Sequence, residues 1–362
     1  MASFIGRQRW RQALFLIWQR FSILLLIVTV VVLAGIGVGV YALVHGFGPS
    51  VGAWTQLQKT GAPPFAENGL AAYDPRVGKQ IRCFGGPLSG TPISTWAFDR
   101  QTCTCTRLPA SGSQPTSEVA GLAYDETTGK IMRLGYSLEH SDYDTWAYDA
   151  SANTWTDLHP TMPPVPKGGH RSGVLAMAYD PGSSQVILIS SSVTKVITWA
   201  YDSQTNSWKE LTTNGSPPAR SQAAFAYDKS MGRLLLFGGW GHFEKAEGGL
   251  LGDTWAFDSS MSTWTELKPA KSPPARVGAT MAYDDAGRMI LFGGFGGKLL
   301  ADTWSYDSAE NTWTKLRTAG SPGPRGGASM FYDPTSHRLV MTGGQEANPA
   351  TLMFTDCWAF SY

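Results

Sequence analysis

The chain has 362 residues, 29 of them basic and 28 acidic, for a net charge of +1. Four Arg (Arg7, Arg9, Arg11, Arg20) and no acid fall within the first 50 residues, which leaves 25 basic against 28 acidic residues for the rest. That slightly acidic remainder carries no electrostatic footprint for nucleic acid, so no nucleic-acid partner is expected.

Residues 1–20 form a basic segment, and residues 21–44 follow with no charged side chain at all. As a helix rising ~1.5 Å per residue, that run measures ~36 Å, enough to cross a ~30 Å hydrocarbon core with some tilt. A cleaved signal peptide is the competing reading, but its apolar core runs only ~7–15 residues before a small-residue site. Residues 21–44 are therefore expected to be a retained signal-anchor in the bilayer. With all four Arg before it, the N-terminus is expected in the cytoplasm and the remainder outside. Residues 45–53, which include His45-Gly-Phe-Gly-Pro-Ser50, read as a short linker.

From Trp54 onward one pattern recurs. Asp253-Thr-Trp-Ala-Phe-Asp258 leads through a polar turn to Thr263-Trp-Thr-Glu-Leu267, and Asp302-Thr-Trp-Ser-Tyr-Asp307 to Thr312-Trp-Thr-Lys-Leu316. The first Trp of the pair falls at 96, 146, 199, 255, 304 and 358. The second falls at 54, 155, 208, 264 and 313, with Cys105 in the remaining slot. Each unit also holds a strand ending in Tyr-Asp (Tyr73-Asp74 to Tyr332-Asp333) and an apolar strand ending in a Gly pair, as in Leu234-Leu-Leu-Phe-Gly-Gly239. A period near ~50 residues built from short strands indicates propeller blades. The ring of each Tyr-Asp pair is expected to pack and its Asp to cap the following turn.

Four strands per repeat, paired Gly after the second and Trp on the fourth closely resemble the kelch repeat across residues 54–362. The resemblance implies an all-β propeller similar to the central propeller of galactose oxidase, and the six occurrences of each strand type make it six-bladed. Trp54-Thr-Gln-Leu57 is a fourth strand and Cys357-Trp-Ala-Phe-Ser-Tyr362 a third, so the two chain ends together complete one blade. Such closure leaves only short sheet edges exposed. Blade two, with Gly135-Tyr136, and blade three, with Ser190-Ser191-Ser192, lack the Gly pair and are expected to be less regular.

Of the four cysteines, Cys105 replaces a blade Trp and Cys357 replaces the Thr before one, so both read as packing substitutions. Cys103 and Cys105 are poorly placed to bond each other. An exported domain nevertheless permits disulfides, and the pairing stays open. No catalytic set, cofactor motif or metal-ligand spacing is present. Galactose-oxidase-type enzymes take part of their copper site from sequence beyond the propeller, and no cofactor or metal is expected here.

Binding residues concentrate on loops held by a rigid scaffold. Links after the second and fourth strands share one propeller face, and these vary, whereas the turns of the opposite face repeat. The variable face carries Arg220, Arg276 and Arg325, aligned relative to the next Tyr-Asp, with His170 and Arg171 one position out of frame. It also carries Trp240, the single Trp beyond residue 50 outside the blade frame, with His242, Phe243 and Phe354 in the longest links. The aligned Arg admit two readings: contacts for an anion or acidic sugar, or structural bonds to neighbouring loop carbonyls. The leading expectation is a membrane-anchored protein-binding or scaffolding module working through this face, turned away from the bilayer. A carbohydrate-binding or carbohydrate-processing protein with a site at the central channel is the alternative. A structural subunit of a larger membrane complex is the third.

Overall fold

The computed structural model describes residues 51–57, 70–86, 91–109, 112–137, 139, 142–162, 164, 174–241, 248–346 and 353–362. The expected anchor, residues 21–44, lies outside these, and among the described residues no helix is long and apolar enough to cross a membrane.

The described chain is all β. Blade one comprises Ala71–Asp74, Lys79–Gly86, Thr91–Asp99 and Thr104–Leu108; blade two Glu118–Asp125, Lys130–Ser137, Asp142–Asp149 and Thr154–Asp157. Blade three comprises Val174–Asp180, Gln185–Ser191, Val196–Asp202 and Ser207–Glu210; blade four Ala224–Asp228, Arg233–Gly241, Gly249–Asp258 and Thr263–Leu267. Blade five comprises Thr280–Tyr283, Met289–Phe292, Thr303–Asp307 and Thr312–Lys315. Blade six takes Ser329–Asp333, Arg338–Thr342 and Cys357–Ser361 from one end of the chain and Val51–Gln56 from the other. Trp54 sits opposite Phe360 and Gln56 opposite Trp358, and the amide of Leu57 donates to the carbonyl of Cys357 at 2.9 Å. Blades two and three are regular four-stranded sheets despite their missing Gly pairs, each with one bulge in the innermost pairing.

Turn chemistry follows the strand-ending Asp. Its carboxylate accepts from the backbone amide two residues on, as in Asp125 to Thr127, Asp202 to Gln204 and Asp307 to Ala309. Four residues beyond the third-strand Asp, the chain takes positive φ at Cys103, Asn153, Asn206, Ser262 and Asn311. Two of these Asn also reach the preceding blade: Asn153 donates to the Pro109 carbonyl at 3.0 Å and Asn206 to that of Leu158 at 2.6 Å.

The blades are fastened to one another by a repeated bond. The outer-strand Trp of each blade lies in the gap to its predecessor and donates its indole N–H to the third-strand Thr there. The pairs are Trp155 to Thr95, Trp208 to Thr145, Trp264 to Thr198, Trp313 to Thr254 and Trp54 to Thr303, at 2.9–3.1 Å. Each of these rings is buried, and burying a side chain of this size contributes on the order of 2–3 kcal/mol. The sixth gap, between blades six and one, has Cys105 in the Trp slot and Cys357 in the Thr slot. There Cys357 is joined by a disulfide to Cys103, with 6.1 Å between their Cα atoms. Cys357 is thus a cross-link and not a packing substitution, while Cys83 and Cys105 are free.

Two measurements check this account. Trp313→Phe keeps an aromatic ring but leaves the buried Thr254 hydroxyl without its donor, and should lower stability by about 1–3 kcal/mol in urea titration. A chain starting at Thr60 should melt far below one starting at Ser50, or aggregate, because it exposes the Cys357–Ser361 edge. Equal melting of the two would show that the Val51–Gln56 strand is dispensable.

Candidate functional site

Links after the second and fourth strands meet on one face, as the pairings show: Ser221 lies opposite Trp240, Val277 opposite Phe295, and Gly326 opposite Gln345. In each case the first residue directly follows one of the aligned Arg, and the second directly follows a Gly pair.

The three Arg are interior. Arg220, Arg276 and Arg325 are at most 1% exposed. Arg276 donates from Nε to the Pro274 carbonyl, from one terminal nitrogen to the Gly293 carbonyl, and from both to the Asp302 carboxylate at 2.6 and 3.1 Å. The Asp302 carboxylate also accepts the indole N–H of Trp304 at 2.8 Å. Arg220 with Asp253 and Trp255 repeats the arrangement, as does Arg325 with Asp356 and Trp358. Each guanidinium therefore meets a carboxylate of its own blade, which is the structural alternative of the two sequence readings. Burial pushes these carboxyls up, but the Arg and Trp donors outweigh it and hold Asp253, Asp302 and Asp356 below the usual range.

The latch also explains the Gly pairs. The carbonyls of Arg276 and Arg325 approach the backbones of Gly238 and Gly293 of the preceding blade. A Cβ there would lie 2.7 and 2.5 Å from those oxygens, and φ is +65° and +68°.

Blade two reaches the same end differently. Ser117 occupies the loop-Arg position, seven residues before Tyr124, and Arg133 from the second strand supplies the guanidinium instead. Arg133 bonds Asp144 at 3.2 Å and the Ser117 hydroxyl at 3.0 Å. Blade three has Ile197 in the Asp position, and the buried indole N–H of Trp199 finds no partner there. In blade one Arg82 is fully buried, and Gln80 and Thr342 of blade six accept from it.

The same face carries large apolar side chains. Trp240 in blade four is 38% exposed, Phe295 in blade five 36%, and Val193 in blade three 66%. Phe354 in blade six lies half-buried with its ring 3.8 Å from the Arg325 guanidinium. Four neighbouring blades thus present an apolar side chain from the same link. Of the sequence candidates, Trp240 and Phe354 belong to this surface and Arg220, Arg276 and Arg325 lie beneath it. His170, Arg171, His242 and Phe243 lie outside the described residues. Val193 and Phe295 were missed, although Phe295 follows Gly293-Gly294 as Trp240 follows Gly238-Gly239.

Lowered carboxyl values give a signed prediction. Such a group contributes stability above its unfolded pKa, near ~4, which is lost as pH falls through the lower folded value. Asp302→Asn should therefore destabilise by about 1.5–3 kcal/mol at neutral pH, with the gap to wild type closing in melts taken below about pH 4.

Comparisons with known proteins fit this architecture. Residues 184–362 match the family model described as KLHDC2/KLHL20/DRC7 Kelch-repeats domain. N-acetylneuraminate epimerase of Haemophilus influenzae (strain PittEE) is 30% identical over 152 residues, 42% of this chain and 36% of that protein. Adagio-like protein 3 of Oryza sativa subsp. japonica is 31% identical over 162 residues, 40% of this chain and 24% of that protein. The matches thus span about a third or less of the length of these curated relatives. A fungal alcohol oxidase of the AA5 family, solved in complex with copper, superposes with a TM-score of 0.57 at 14% identity. That superposition covers 87% of this chain and 76% of the oxidase, a likeness of fold alone. The described chain is a six-bladed β-propeller, and its residues 184–362 match a kelch-repeat family model.

Proposed function

We propose that this propeller is a protein-binding or scaffolding module, anchored in a membrane and held outside the cytoplasm, that works through its variable-loop face. The observation that carries the reading is the row of Val193, Trp240, Phe295 and Phe354 in equivalent links of four consecutive blades. Exposed apolar side chains repeated on one face of a rigid frame mark an interaction site. Aromatic side chains dominate the energetics of such sites, and the Arg–Asp latches hold these ones in place. Kelch domains generally mediate protein interactions. In this reading residues 1–20 are cytoplasmic, 21–44 span the bilayer as a signal-anchor, 45–53 link, and 54–362 form the exported propeller. The Cys103–Cys357 disulfide supports that placement, since such bonds persist in oxidising compartments.

A carbohydrate ligand is the second reading, favoured by the similarity to N-acetylneuraminate epimerase. The three loop Arg do not strengthen it, because their guanidinium groups are already bonded within their blades.

Affinity capture from solubilised membranes, with mass spectrometry, should return a protein partner. Trp240→Ala and Phe295→Ala should each weaken its binding by ~2 kcal/mol, roughly 30-fold, while leaving the melting temperature unchanged. Glu126→Ala and Lys229→Ala on the opposite face should leave binding intact. Binding that survives every loop substitution and fails with the turn variants would reverse the face. Calorimetric binding of N-acetylneuraminate, unaffected by Trp240→Ala, would favour the carbohydrate reading. Protease added to intact cells or spheroplasts should reach the propeller, and the mature protein should still begin near Met1. An N-terminus between residues 42 and 51 would mean a cleaved signal.

A further inference from the structure

The seam between blades six and one holds three of the four cysteines. Cys103 stands in the positive-φ turn slot that Asn153 and Asn206 fill elsewhere, a slot that reaches back to the preceding blade. Cys105 stands in the Trp slot, and Cys357 in the Thr slot that receives the Trp donor at the five other seams. Cys357 therefore has two partners by position. One, Cys103, holds it in the disulfide, and both are at most 2% exposed. The other, Cys105, is a half-buried free thiol packed against the cluster of Phe98, Cys103, Phe331, Val340 and Cys357. A slot that accommodates an indole elsewhere holds a thiol here, packed on the same cluster as Cys357.

We propose that Cys103, Cys105 and Cys357 form an intramolecular thiol–disulfide exchange site that keeps the ring cross-linked while changing which residue of blade one is bonded. The Cys105 thiolate attacks Sγ of Cys357, an S–S bond forms between them, and the bond to Cys103 breaks. Cys103 leaves as the thiolate and takes up the proton that Cys105 gave up, so no oxidant or reductant is consumed. Burial pushes the Cys105 thiol up, and the guanidinium of Arg82, buried nearby, acts against this by favouring the thiolate. Cys83 takes no part: its thiol is fully buried and pushed up to about 11 by that burial.

The test uses the full chain, purified in detergent. Wild-type protein is acid-quenched, alkylated in denaturant and digested with trypsin, which places Cys103 and Cys105 in one peptide, residues 101–107, for fragmentation. Exchange predicts alkylation divided between Cys103 and Cys105, each population carrying the other residue bonded to Cys357. In parallel, Cys103→Ser protein is equilibrated with oxidised glutathione, which supplies the oxidising equivalents. A bond between Cys105 and Cys357 leaves a single free thiol, Cys83. Folded Cys103→Ser protein that keeps all three remaining thiols overturns the proposal. Should that variant fail to fold, wild-type alkylation confined to Cys83 and Cys105 overturns it equally.

Discussion

The bond on which the propeller depends is the one from an indole N–H to a threonine hydroxyl in the blade before. A β-sheet satisfies its own backbone, but its two faces must be covered by something, and in a ring that something is the next sheet. An apolar interface alone would let neighbouring sheets slide. The Trp–Thr bond supplies a single buried donor and acceptor per seam, and a slipped sheet would leave both unpaired at a cost of about 1–3 kcal/mol each. At the five seams that carry it, one polar pair inside an aromatic interface therefore sets the register of sheet on sheet.

The Arg–Asp–Trp latch works within a blade, where the Trp–Thr bond works between blades. It joins the link entering a blade to the base of the hairpin between the second and third strands of the same blade. Bidentate, with a buried guanidinium backed by carbonyls and a partly exposed carboxylate, it is the kind of ion pair that holds a geometry through its geometric demands. Its consequence is local. The residue after each Arg is bridged to the residue after the Gly pair, so the side chains above stand on a braced loop. Blade two keeps the carboxylate and takes its cation from the second strand, although there the indole N–H of Trp146 stays unpaired.

Much of this was legible in the sequence because it repeats. The four strands, their order, the closing role of Trp54 and the Asp-capped turns all follow from positions that recur with the blade. What stayed hidden does not recur. The partners of Arg220, Arg276 and Arg325 lie 33, 26 and 31 residues downstream, because the intervening hairpins differ in length. Arg133 looks like an intruder in an apolar strand until Asp144 and Ser117 are seen around it. The disulfide escaped for a related reason. Cys103 sits in a turn slot whose other occupants are Asn and Ser, so its reach toward the previous blade emerges only from the side-chain geometry of those neighbours. Yet the facing slots of Cys105 and Cys357 across one seam were a signal that the repeat frame already contained.

The fastenings between blades also share a direction. The outer-strand Trp, the turn Asn and the Tyr of Tyr-Asp all reach from a blade to the one before it, as Trp155 does to Thr95, Asn206 to Leu158 and Tyr283 to Ser230. For the Trp, Asn and Tyr donors of blades two to five, a chain emerging vectorially from its N-terminus therefore finds the acceptor already made, and the growing arc can be consolidated stepwise. Trp54, made first, and the backward-reaching groups of blade one, Tyr73 and Cys103, are the exceptions, since their partners are made late. Synthesis order thus converts a symmetric ring into one with a beginning and an end, and covalent chemistry is found where they meet.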